Sequence, residues 1–165
     1  MPEMLKPIMA LQPRTTTGAV TATLANYISV KNAVKVYLLM SFNQAASHAT
    51  VITLERATGV GKMGTAPTGN VAITAPMMRW WSDVDCATLE TMAARTPAVA
   101  VTLTAGATPQ IHLVEFVLDA LGSGYDVVGF TIASSGEATN FISATWLVQM
   151  KYGMAVANQP LVEAD

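Results

Sequence analysis

The chain has 165 residues, enough for one domain that can bury roughly 70% of its extended-chain surface without help from a disulfide or metal. Charged residues make up 12% of it and the net charge is -2, against a usual charged share of about 25%. Scattered Lys and Arg exclude the clustered basic footprint of a nucleic-acid binder and a polybasic membrane anchor. The single cysteine, Cys86, excludes an intrachain disulfide.

Residues 1–18 carry three prolines and one glycine and hold no sustained period. Pro2, Lys6, Pro7, Pro13 and Arg14 interrupt any apolar run, so no secretory signal is expected. Leu5, Ile8, Met9 and Leu11 make the segment too apolar for a solvated linker. The composition allows a flexible, sticky terminus or an extended arm that docks on a neighbouring subunit; the apolar side chains favour the arm. Deleting residues 1–14 should then leave the domain folded.

Gly18–Lys31 holds one or two strands, with Asn26 as a break. In the next run Val34, Val36, Leu38, Met40 and Phe42 alternate with Lys35, Tyr37, Leu39 and Ser41. That period of two places the first set on one face of a strand. Thr50, Ile52 and Leu54 do the same within 49–57. The connection Asn43–His48 suits a hairpin or a crossover between two sheets of a roll.

Residues 57–70 form the longest breaker cluster and read as a mobile loop. Val71–Ala75 is short and extended. Residues 86–95 fit a helix or a strand, and the extended reading is preferred. Clear strands follow at 98–105, 110–119, 128–132 and 142–152, with turns at Leu121–Tyr125 and Ser134–Glu137. His112, Val114, Phe116 and Leu118 share one face of the second of these, and both its faces are apolar. Ile142, Ala144, Trp146, Val148, Met150 and Tyr152 share a core face in the last. About eight short strands without a βαβ rhythm predict an all-β fold: an antiparallel β-sandwich, jelly-roll-like. Its expected bounds are an arm at 1–18, the sandwich at 19–152 and a tail at 153–165. No run of 18 apolar residues is present.

Candidate chemistry is sparse. Gly59–Thr65 lacks the first glycine of a phosphate loop, since position 56 is Arg, and Met63 stands where Ser or Thr should follow Lys62. Gly122-Ser123-Gly124 is a turn rather than a nucleophile elbow. His48 and His112 are the only imidazoles, and with Cys86 they cannot complete a structural zinc set without a carboxylate. Asp83, Asp85 and Glu90 read as a solvated acidic turn. No catalytic residue, metal site or cofactor is expected. Trp80 and Trp81 must point to opposite faces if extended. One should fill the core, and the other should be an interface anchor; a carbohydrate-stacking platform is the runner-up.

The pattern as a whole is similar to a known family. The motifs are YISVKN at 27–32, ATVITLERAT at 49–58, WWSDVD at 80–85, LVEFVLD at 113–119 and GYDVVGFT at 125–132. Over residues 27–152 they resemble small virion proteins of tailed bacteriophages, in particular capsid decoration or cement proteins with a jelly-roll-like fold. The resemblance implies a non-enzymatic virion structural protein on the capsid exterior, assembled in the host bacterial cytoplasm. Its implied partners are the major capsid protein and neighbouring copies of itself, as a homo-oligomer such as a trimer, with no nucleic acid and no membrane. Leu5, Ile8, Met9 and Leu11 at one end, Leu161 and Val162 at the other, and Trp80 and Trp81 are the expected partner-binding residues. A head–tail connector or tail protein is the alternative, ahead of a carbohydrate-binding sandwich, and hydrolysis by Cys86 or Ser123 comes last.

Overall fold

A computed structural model of the chain describes residues 5–22, 27–44, 50–61, 65–88, 91–98, 100–103 and 109–151. These residues form an all-β sandwich of two antiparallel sheets. The larger sheet contains β1 (Leu5–Thr15), β3 (Ala33–Gln44), β6 (Met78–Asp83), β7 (Ala93–Arg95), β9 (Pro109–Phe116) and β11 (Asn140–Met150). Its order is β1-β11-β3-β9-β6-β7. The smaller sheet contains β2 (Ile28–Ser29), β4 (Thr50–Ala57), β5 (Val71–Ala72), β8 (Ala100–Leu103) and β10 (Val127–Ile132). Here β10 lies between β2 and β4, and β8 and β5 share the other edge of β4. No α-helix occurs among the described residues; Ala75–Met77 and Leu118–Ala120 are single 3-10 turns.

Period-two alternation explains why these segments are strands and which way they face. Val36, Leu38, Met40 and Phe42 are buried, as are Ile142, Ala144, Trp146 and Val148 beside them. From the other sheet Ile52, Leu54, Val128, Phe130 and Ile132 close the core. Trp146 sits at the centre, with ring centroids 5.7 Å from Phe116 and 6.0 Å from Phe130. The second contact crosses between sheets and ties the two layers together.

One open choice is resolved and one expectation changes. First, β3 and β4 do not pair. β3 lies between β11 and β9, whereas β4 pairs with β10 in the opposite layer. The connection is therefore the crossover. It sets the two apolar faces against each other rather than side by side, which buries both.

Second, the segment expected at 1–18 as an extended arm docking on a neighbouring subunit is, over Leu5–Thr15, a full edge strand antiparallel to β11. The sandwich therefore begins before residue 19. Ala10 and Leu11 are both buried and Ile8 packs partly against the core. Register shifts between Met9 and Leu11 and between Leu11 and Arg14 break the alternation, which is why no period was visible. Pro7 and Pro13 are tolerated because an edge strand needs its N–H groups on one side only.

Smaller differences follow. Residues 84–88 form a bend and turn before the short β7, so the 86–95 stretch is only partly extended. The strand expected over 110–119 ends at Phe116. Val99, Tyr152, Leu161 and Val162 lie outside the described residues.

Candidate interaction surface

The outer face of the larger sheet carries the side chains that alternate with the core set. Inter-strand register aligns them in rows. The middle row runs Met9, Thr145, Leu39, Leu113, Trp81 and Ala94, one residue from each of the six strands. On one side lies a bulky row of Pro7, Leu147, Tyr37, Glu115 and Arg79. On the other lies a row containing Ser143, Ser41, Ile111 and Asp83. Met9 is 54% exposed, Phe141 48% and Ile111 37%. Leu39, Leu113, Tyr37, Leu147 and Trp81 are half-buried by their strand neighbours alone. A sheet face open to water usually alternates to polar side chains; this one keeps Leu39, Leu113, Trp81, Tyr37 and Leu147 among them.

The charges on this face sit towards its two ends. Glu115 is 3.4 Å from Arg79 and 3.9 Å from Lys35, and its side chain is covered by theirs. Asp83 and Asp85 mark the opposite corner. Asp83 Oδ1 accepts the Asp85 backbone N–H at 3.0 Å. Asp85 Oδ1 is buried without a hydrogen-bond partner.

The tryptophans divide as strand geometry requires. Trp81 faces out, opposite Leu113. Trp80 faces in and packs against the core. Its Nε1–H donates to His112 Nδ1 at 3.1 Å, and the two rings stack with centroids 5.7 Å apart. With Nδ1 accepting, the proton belongs on Nε2, which donates to Gln110 Oε1 at 3.2 Å. Phe42 meets the imidazole edge-on. Burial, then the nearby Arg95 charge, lowers the His112 pKa from 6.5 to about 4. His112 is a neutral structural histidine with both nitrogens engaged.

Of the expected partner-binding residues whose side chains are described, Met9 and Trp81 share this surface. Leu11 belongs to the core, and Ile8 and Trp80 face inward. Leu5 contributes backbone to β1; Leu161 and Val162 lie outside the described residues. Leu39, Leu113, Ile111, Tyr37, Leu147 and Phe141 were not singled out from sequence. For Leu113 and Ile111 the signal was the apolar character of both faces of 110–119, and for Tyr37 and Leu39 the apolar residues on the second face of 34–42.

The other candidate features are structural. Gly122 and Gly124 have φ values of 88° and 82°, so Ser123 sits in a glycine-dependent turn. The loop after β4 closes on itself through Gly59 and Thr68 and leads into β5, with no helix N-terminus among its described residues. Burial and the Asp83 carboxylate push the Cys86 thiol up, the direction that disfavours a nucleophilic thiolate. No group of three His, Cys, Asp or Glu side chains among the described residues could hold a metal ion. A cleft of about 580 Å³ opens at one end of the sandwich, with Lys31, Lys151, Asp119 and Asp126 around Val30, Leu118 and Tyr125. It mixes both signs of charge and holds neither histidine nor cysteine. No family model, curated protein or solved structure matches the chain.

Proposed function

We propose that this protein is a structural component of a tailed-phage virion, a decoration or cement protein that attaches to the major capsid protein lattice and to copies of itself. The observation that carries the reading is the apolar outer face of the larger sheet. A face lined by Met9, Leu39, Leu113, Trp81, Ile111 and Phe141 is a liability on a freely diffusing protein and an asset on one that is covered in an assembly. The low charge of the chain fits the same state.

The strand order also supports a jelly roll. On this reading β1-β11-β3-β9 and β2-β10-β4-β5 correspond to its two four-stranded layers, with β6 and β7 extending one and β8 added to the other. Jelly rolls recur in viral capsid and lectin domains, so the fold raises the prior without deciding the function. The lectin-like alternative would rest on Trp81, because the Trp80 ring is stacked on His112 and turned from solvent.

Immunogold microscopy of purified virions that encode this chain tests the reading. Label across the head, in hundreds of copies per particle, supports it. Label confined to the neck or tail, in about a dozen copies, assigns the connector or tail role instead, as symmetric assembly requires. Absence from the particle overturns both.

A further inference from the structure

We infer that the outer face of the larger sheet docks a second copy of this chain, face to face, about a two-fold axis running along the Met9–Trp81 row. The inference rests on the reading of this face as a covered interface and does not require the virion assignment. Three features of the face point to self-association.

The first is size. Six strands spaced about 4.8 Å apart and about eight residues long at about 3.3 Å each span on the order of 600–700 Å² before side-chain relief is counted. A standard stable interface buries about 800 Å² per partner. The face is therefore large enough for a dimer and small enough to be filled by one.

The second is shape. A two-fold axis along the middle row lays each strand on its own copy and exchanges the flanking rows. Tyr37 and Leu147 then come over the second copy's Ser41 and Ser143, and the reverse on the other side of the axis. Bulky side chains meet small ones, as isologous packing of a corrugated surface requires. The middle row meets itself at Leu39, Leu113 and Trp81, giving an apolar centre with an aromatic anchor.

The third is charge. The same operation carries Arg79 from the basic end of β6 to the second copy's Asp83 and Asp85 at its acidic end. The Arg79 side chain is 63% exposed, and Lys35 still covers Glu115 when Arg79 turns to the partner. Asp83 stands in the flanking row, opposite Ile111, that the operation brings over Arg79.

Sedimentation equilibrium of the full chain tests this at protein concentrations of tens of micromolar. A dimer is expected for the wild type. Leu113→Lys should be monomeric with an unchanged far-UV spectrum and unfolding midpoint. Arg79→Glu should weaken the dimer by about tenfold or more, and Arg79→Glu with Asp85→Arg should recover it, since reversal restores both symmetric pairs. A monomeric wild type overturns the inference, as does a dimer indifferent to Leu113→Lys. If the protein is monomeric yet Leu113→Lys abolishes its binding to shells, the face serves the capsid lattice and the proposed function stands alone. A dimer with the expected mutational pattern but absent from virions leaves the inference standing and removes the function.

Discussion

The ring of Tyr27 lies directly over Gly129. A β-carbon at position 129 would collide with the Cγ, Cδ1 and Cε1 atoms of Tyr27. The approach lets the Tyr27 hydroxyl donate to Glu55 Oε2 at 2.6 Å, where Asn70 also donates at 2.8 Å. Thr131 Oγ1 donates to the other carboxylate oxygen at 3.3 Å. Burial and the Glu55 carboxylate push the Tyr27 hydroxyl well above the usual phenol range. Strands β4 and β10 and the residues just before β2 and β5 are joined through this one carboxylate. Gly129→Ala should therefore destabilise the fold by about 1–3 kcal/mol, the range of overpacked sites. Urea unfolding checks it, and an unchanged midpoint would show that Tyr27 can move aside freely.

The hydroxyl itself is separable from the ring. Tyr27→Phe keeps the cover on Gly129 and leaves Glu55 with Asn70 and Thr131. A loss of about 1–2 kcal/mol is expected, the cost of deleting a hydrogen bond to a charged acceptor. The two variants together distinguish packing from hydrogen bonding at one site.

His112 predicts a pH dependence of stability. Its folded pKa is lowered to about 4 from 6.5. The unfolded chain therefore binds more protons than the folded one between those values, and stability falls as pH drops through that window. Above about pH 6.5 the contribution is fully present; below about pH 4 the group adds no further change. The amplitude is about 3 kcal/mol at most, since one pKa unit is worth about 1.4 kcal/mol. Urea midpoints of wild type and His112→Gln across pH 4–7 isolate it, and parallel curves would remove His112 as the cause.

The edge strand reverses the expected result of truncation. Removing residues 1–14 would strip most of β1 from β11 and take Leu11 and Ala10 out of the core. The truncated protein should be strongly destabilised rather than merely detached from a partner. Leu11→Ala alone should cost about 2–4 kcal/mol, the usual range for a buried leucine. Thermal unfolding followed by circular dichroism measures both.

Substitution on the outer face should behave oppositely. Leu39→Ser and Trp81→Ser remove side chains that the single chain only half buries. Their effect on monomer stability should stay below about 1 kcal/mol, well under that of core truncations. Retention on particles or in the dimer should fall, as pelleting with purified shells and sedimentation equilibrium would measure.

Alternation along the chain was enough to determine that 34–42, 128–132 and 142–150 are strands, which side chains they bury, and that the protein is all-β. Period two reports the face of each residue, and burial enforces it. It does not report neighbours. Only the tertiary structure decided that β3 and β4 lie in opposite sheets, because pairing depends on contacts between distant segments. Two bulges hid β1, since each shifts the period by one residue. The tryptophan pair shows the same division. Strand geometry alone required Trp80 and Trp81 to part, but the position of β6 beside β9 decided that Trp80 meets His112 inside and Trp81 joins the outer row. That row draws one residue from each of six strands spread from Met9 to Thr145. Its members become neighbours only through inter-strand register, so the surface exists in the fold and nowhere in the linear order of residues.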